Sequence, residues 1–453
     1  MDLFQISAVL ITLAALFNYL NYRYLKLPTT IGIMAMALVL SLVVIAVGKV
    51  NAPVHDMAVG VLAGIDFNKA LMHGMLGLLL FAGALHIDLG DLSEQSGVIA
   101  VLATLGVCVS TVLIGLATWF VLPLIGLEVH LIHCMLFGAL ISPTDPIAVL
   151  GVLKTLGAPK ELETKIAGES LFNDGVGVVV FLGILGIAGL DPSHDVNSVG
   201  SVVGLFVQEA IGGAVFGLVA GGLAFYLLRS VDDYQVEVLI SLALVMGGYT
   251  LAMALHLSGP IAMVVAGLLI GNQGRAHAMS AHTRKHLDTF WELVDEILNA
   301  ILFVLIGLEM MILTITGRTL LAGALAIVIS LAARFIAVGV PLSVMATRRE
   351  FTPHSIKVLT WGGLRGGISV ALALWLTTLL PREHQQTRDV LLVMTYSVVI
   401  FSIMVQGLTV GPLIGRLGIL EKLEEQEPVP EALVSTDPTN SIPEPVMEPG
   451  AEE

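Results

Sequence analysis

The chain has 453 residues, 56% of them hydrophobic and only 13% charged, with a mean hydropathy of +0.92 and a formal charge of −15. That balance excludes a water-soluble domain and marks a polytopic membrane protein with no nucleic-acid partner. Much of the acidic excess lies from Glu421 onward, around the single Lys422, so the rest of the chain is only mildly acidic.

The N-terminal stretch MDLFQISAVLITLAALFNYLNYRYLK carries its first positive charges after its apolar run. This is the reverse of a cleavable secretory signal, and it reads as a first span entering from outside. Cutting the apolar runs at their polar breaks, at roughly 20 residues per crossing, predicts about thirteen spans. They lie near 4–22, 29–47, 69–87, 97–121, 131–153, 165–190, 199–228, 236–256, 259–273, 290–314, 319–346, 356–380 and 389–415. An odd number places the N-terminus outside and the C-terminus in the cytoplasm. Most Lys and Arg then fall on the cytoplasmic side, as the positive-inside rule requires. Only Lys49, Lys69, Arg318, Arg382 and Arg388 fall outside, and Arg334 and Arg365 lie within spans.

Along the chain, His73 and His86 bracket span three and read as hydrogen-bonded interfacial side chains. Cys108 and Cys134 sit in apolar runs as small buried hydrophobes. His130 and His133 precede span five with too few companions for a metal site. Span five contains ALISPTDPIAVLGV, where Pro143 and Pro146 flank Thr144 and Asp145; each proline removes a donor and blocks the helical path, so the helix should open there. Span six begins GESLFNDGVGVVVF. In a helix Ser170, Asn173 and Asp174 share a face at i, i+3 and i+4, with Glu169 beside Asn173, giving one polar patch on an apolar helix. The glycines of GGAVFGLVAGG in span seven suit close helix packing, not nucleotide binding, since no strand precedes them. His277, His282 and His286 fall with Arg275, Arg284 and Lys285 in a solvated basic loop. Asn299, in span ten, reads as satisfying a neighbouring backbone or core polar group.

Span twelve contains WGGLRGGISVALAL, where Gly362, Gly363, Gly366 and Gly367 bracket Arg365; glycine is a poor helix former, so a second break is expected. Interrupted spans at corresponding places in two halves point to a secondary transporter's midplane site. The two breaks fall on helices of opposite direction, which matches an inverted repeat of spans two to six onto nine to thirteen. Two opened antiparallel helices leave two positive and two negative helix ends facing one another. Asp145 suits the positive pair and Arg365 the negative pair, as dipole neutralisers or as ion ligands. After Leu420 the chain is acidic and Pro-rich with few large apolar groups, so residues 419–453 are expected to form a disordered cytoplasmic tail on a membrane domain of residues 1–418.

Each charge at a span's centre carries roughly 2.5–3.5 kcal/mol of insertion penalty, so Asp145, Glu169, Asp174, Arg334 and Arg365 need partners or a function. The preferred matching is Glu169 with Arg334 and Asp145 with Arg365, the swap remaining open. One carboxylate is left over, taken here as Asp174. Burial without a cation favours the protonated form of an acid. The same oxygens, with Ser170, Thr144 and carbonyls freed at the span-five break, offer an oxygen cage to a hard cation such as Na⁺. One group that holds either the cation or the proton is the minimal requirement for antiport. A cation channel is the competing class, and an intramembrane hydrolase is excluded because no in-span histidine can serve Ser170 as base.

At these residues the chain resembles the NhaP-type bacterial members of the monovalent cation:proton antiporter-1 family, which includes the animal sodium/proton exchangers. The resemblance runs in order through LLLFAGALHIDL, SPTDPIAVL, GESLFNDGVGVVVF, HLSGPIAMVVAGLLIGN, FWELVDEILNAILFVLIGLE and GGLRGGISVALAL. It implies an all-α antiporter fold with two broken crossing helices, and a homodimer in the bacterial inner membrane. Core and dimerisation helices would interleave along the chain and work by an elevator-like alternating access. It further implies a Na⁺ site built from Thr144, Ser170 and Asp174, with Asn173 and Asp145 beside it, and no cofactor. The family's Asn-Asp pair implies electroneutral exchange of one cation, Na⁺ or alternatively Li⁺ or K⁺, for one proton. Span three departs from relatives that carry an extra acidic site residue: here it reads AGALHIDL, with His86 and Asp88 only near its end.

Overall fold

The computed structural model describes residues 3–48, 60, 67–190, 199–347 and 351–417. Lys49, Arg348, Arg349, Lys422 and the tail expected over 419–453 lie outside the described residues. Among those described, every regular element is a helix. In chain order they begin with α1 (Phe4–Leu25), α2 (Thr29–Gly48), α3 (Ala70–Leu85), α4 (Leu89–Ile125), α5 (Leu131–Ile141) and α6 (Ile147–Leu156). There follow α7 (Lys160–Ile187), α8 (Val199–Arg229), α9 (Tyr234–Ala254), α10 (Gly259–Leu269) and α11 (Ala281–Glu309). The last are α12 (Gly317–Met345), α13 (Ser355–Trp361), α14 (Gly367–Leu379) and α15 (Gln385–Arg416).

Eight of the described helices are long and apolar enough to cross a membrane: α1, α2, α4, α7, α8, α9, α12 and α15. The remaining expected crossings fall on shorter pieces (α3, α5 with α6, α10, α13 with α14) and on α11, whose carboxylates interrupt its apolar pattern. Apolar side chains such as Val219 and Val328 are 68% and 65% exposed, as a face against lipid hydrocarbon requires and a face against water does not. Several helices start earlier than hydropathy predicts, α7 at Lys160 and α11 at Ala281. Their first turns are polar and extend beyond the apolar stretch, and Glu161 and Glu163 there complement the positive end of α7.

The helices pack in two groups. One joins α4, α5, α7, α12, α14 and α15; the other joins α2, α3, α8, α9, α10 and α11. Close approach in each depends on absent side chains. A Cβ at Gly138 of α5 would lie 2.3 Å from the Thr111 carbonyl of α4, and one at Gly217 of α8 would lie 2.4 Å from the Ala262 carbonyl of α10. Gly212, Gly213, Gly217 and Gly221 of span seven therefore serve packing, whereas a Cβ at Gly222 would meet no neighbour.

Both expected breaks are present. Helix α5 stops at Ile141 and α6 begins at Ile147, while α13 stops at Trp361 and α14 begins at Gly367. The two open stretches cross and join in one antiparallel bridge, with the Asp145 N–H donating to the Leu364 carbonyl at 2.8 Å. Crossing two unwound segments satisfies backbone groups that lipid could not, and it brings four helix ends to one place.

Candidate functional site

Charged side chains meet those helix ends with opposite sign. The Arg365 guanidinium donates to the carbonyls of Ser142 and, at 2.9 Å, Pro143, the negative C-terminal end of α5. Asp145 accepts from the Ile147 N–H at 3.0 Å, at the positive start of α6. It also lies against the start of α14, where a Cβ at Gly366 would come 2.0 Å from its Oδ2. The C-terminal carbonyls of α13 are met as well: Leu359 by Arg334 at 3.2 Å and Trp361 by the Gln406 amide at 2.9 Å.

This corrects the sequence-based pairing of Asp145 with Arg365. Among the described residues these two form no ion pair, because each neutralises a helix end instead. The Arg365 backbone N–H is held by Ser402 Oγ at 2.8 Å, which fixes the side chain's origin. Neither Ser402 nor Gln406 stands out in the sequence, since a backbone N–H or carbonyl freed at a helix break leaves no letter in the chain.

Glu169 and Arg334 do meet. The guanidinium binds both carboxylate oxygens, Nη1 to Oε1 and Nη2 to Oε2 at 2.9 Å, with both side chains almost fully buried. The fork geometry matches the carboxylate plane, the arrangement in which a buried charge pair best offsets its desolvation. Gly363 leaves room for it, since a Cβ there would lie 2.6 Å from Arg334 Nε. Glu169 thus leaves the polar patch that the helical spacing suggested and turns toward α12 and α13.

The remaining members of GESLFND face the break. Asn173 donates from Nδ2 to Thr144 Oγ1 at 2.8 Å and accepts from the Thr144 N–H at 3.2 Å, so one amide fixes both the backbone and the hydroxyl of the loop. Thr144 Oγ1 and Ser170 Oγ are 3.0 Å apart. Asp174 forms no hydrogen bond or ion pair among the described residues. It lines a cavity of about 1360 Å³ together with Thr144, Asp145 and Ser170.

The cavity is also lined by Lys26, Asp88, Asp91, Lys154, Lys160 and Glu163, of which Lys26, Asp88, Lys154 and Lys160 are exposed and mark its mouth. At its mouth Asp88 caps α4, accepting from the N–H groups of Gly90 at 2.7 Å and Asp91 at 3.2 Å. The His86 ring is hydrogen-bonded to the Ala82 carbonyl at 2.8 Å. One wall belongs to α11, through Glu292, Asp295, Glu296 and Asn299. Sequence analysis reaches Asn299 but misses the three carboxylates, although the spacing of all four at i, i+3, i+4 and i+7 is visible in WELVDEILN and signals a polar stripe on one helix face.

Known proteins resemble this chain in sequence and in fold. The family described as sodium/hydrogen exchanger, transmembrane, matches residues 9–416. The Na(+)/H(+) antiporter NhaP of Pseudomonas aeruginosa is 50% identical over 433 residues, covering 93% of this chain and 99% of that protein. The Na(+)/H(+) antiporter NhaH of Halobacillus dabanensis is 37% identical over 408 residues, covering 88% of this chain and 94% of its own. Among solved structures, the sodium proton antiporter MjNhaP1 of Methanocaldococcus jannaschii at pH 8 aligns with a TM-score of 0.69 at 18% identity, covering 92% of this chain and 99% of that one, a likeness of fold. The chain belongs to the transmembrane sodium/hydrogen exchanger family.

Proposed function

We propose that the chain exchanges Na⁺ for H⁺ across a bacterial plasma membrane by alternating access, with Asp174 as the one carboxylate that carries either ion. Membership of a transporter family makes it a carrier rather than a member of an enzyme class. The observation that carries the reading is Asp174 itself: an acid with no cation or donor against it, on the wall of a cavity, beside two hydroxyls that another residue holds in place.

The cation site in this account is Asp174, Ser170 and Thr144, with Asn173 and Asp145 as supports. Because Asn173 already donates to Thr144 Oγ1, a hydrogen bond from Thr144 to Ser170 leaves one Thr144 lone pair free for a cation, whereas the opposite direction leaves none. Cation binding therefore selects one hydroxyl orientation. Oxygen ligands with a single charge suit a hard alkali ion. A proton on Asp174 removes that charge and releases the ion, so the loaded and the protonated forms each hold one monovalent cation, have equal net charge, and exchange is electroneutral.

Orientation follows the basic-residue bias, with the N-terminus outside and the described cavity open to the cytoplasm. The group containing α4–α7 and α12–α15 holds the site and moves as an elevator; the group of α2, α3 and α8–α11 stays fixed and pairs with a second copy in a homodimer. The test is Na⁺-driven collapse of an acid-inside pH gradient in everted vesicles with the voltage clamped at several values including zero, repeated with Li⁺ and K⁺. Electroneutral collapse by Na⁺ supports the proposal, collapse by K⁺ alone makes the carrier a K⁺/H⁺ exchanger, and an uncoupled voltage-driven current indicates a channel.

A further inference from the structure

Helix α11 turns a polar stripe into the cavity that the exchange site does not use. Glu292, Asp295, Glu296 and Asn299 all line it, while Leu293 and Ile297, between them in sequence, are exposed on the outer face. The stripe leads from the mouth toward the floor, where Asn299 shares the cavity with Thr144 and Gly366.

Asn299 is the feature that lifts this wall above a row of solvated acids. Its side chain is 2% exposed, its amide is hydrogen-bonded to Asp295, and its Oδ1 accepts no hydrogen bond. The amide cannot turn over to relieve this, because its carbonyl would then face the Asp295 carboxylate. An unmet buried acceptor is destabilising, so the position calls for a positive ion or a donor. Asp295 supplies a charged oxygen next to it, within electrostatic reach of Asp145 in the span-five break.

We propose that Asp295 and Asn299 form a second, weaker alkali-cation site on the fixed wall, which collects Na⁺ from the open cavity and passes it to Asp174. The proposal rests on the assignment of Asp174 as the exchange site. One carboxylate and one amide carbonyl, with water completing the shell, suit a monovalent ion and give it little reason to stay, as a relay requires. A divalent ion asks for more charge or a stricter shell. Helix α11 packs chiefly with α2, α3, α1 and α9 and more lightly with α14 of the group that holds Asp174, so Asp295 stays with the fixed wall and the relay serves access from the cavity's face.

Sidedness is therefore the test. Na⁺-driven exchange is measured as a function of Na⁺ concentration in everted and in right-side-out vesicles, for wild type, Asp295→Asn, Asp295→Glu and Asn299→Ala. From the cavity's face, Asp295→Asn is expected to raise half-saturating Na⁺ about tenfold and Asn299→Ala about threefold; from the opposite face both should change it less than about twofold. Asp295→Glu, which keeps the charge, should recover most of the affinity. Unchanged half-saturation from the cavity's face, or an equal rise from both faces, overturns the relay and leaves Asn299 Oδ1 facing a trapped water. Wild-type vesicles without Na⁺/H⁺ exchange would overturn the Asp174 assignment before any variant is compared.

Discussion

Arg334 binds both carboxylate oxygens of Glu169, whereas Asp174, little more than one turn further along the same helix, has no cation against it among the described residues. Two acids on α7 are thus divided by their surroundings into a structural charge and a free one. Removing either half of the buried pair leaves an unpaired charge, which typically costs about 3–5 kcal/mol. Glu169→Gln and Arg334→Ala should each lower the melting temperature of the purified protein well beyond a conservative surface change. The double replacement by apolar residues should recover part of the loss. Equal melting temperatures for wild type and the single variants would refute the pairing.

Asp174→Asn keeps the shape of the side chain and removes its charge. Exchange should disappear while the protein still reaches the membrane in near wild-type amount, because the variant can neither take up the switching proton nor hold the ion. Wild-type-like exchange in vesicles carrying Asp174→Asn would sink the site assignment.

Arg365 answers two carbonyls at the end of α5 through one nitrogen, Nη1, so its role depends on reach as well as charge. Arg365→Ala leaves those carbonyls and the helix end unmet, at about 1–3 kcal/mol for each lost acceptor. Arg365→Lys keeps the charge on a shorter side chain and should weaken both contacts. Thermal stability is expected to order as wild type, then Arg365→Lys, then Arg365→Ala; an Arg365→Ala variant as stable as wild type would contradict the capping role.

Gly366→Ala places a methyl where Asp145 Oδ2 now lies, 2.0 Å from it. Either Asp145 leaves the start of α14 or the crossing opens, and both disturb the Thr144 loop that Asn173 anchors. The variant should lose exchange with a weaker effect on yield than Arg334→Ala. Gly151→Ala, where a Cβ meets no neighbouring atom within 4 Å, is the matched control. Similar exchange in the two variants would show that the tight approach at Gly366 has no functional weight.

The breaks were legible in the sequence because Pro143, Pro146 and the glycines around Arg365 act through the backbone in a way that does not depend on neighbours. The Glu169–Arg334 contact was legible as a preference, since a bidentate fork is the best buried partner for a carboxylate. The partner of Arg365 was not, because it is a pair of backbone carbonyls created only when α5 ends. The same blindness hid Ser402 and Gln406. On helix α11 the sequence reading reaches Asn299 but not the three acids that share its face, although their period is on view. The position of Asp174 on a cavity required the fold, since spacing on α7 shows which residues share a face and not what that face meets.

Antiport at Asp174 requires that the proton and the cation exclude one another, and the direct measurement is Na⁺ affinity of the purified protein by calorimetry across pH, in buffers of different ionisation enthalpy. The prediction is release of one proton for each Na⁺ bound at the lower pH values, with affinity weakening about tenfold for each unit of acidification in that range, and neither effect in Asp174→Asn. Na⁺ binding that releases no proton and keeps the same affinity from acidic to alkaline pH would contradict it.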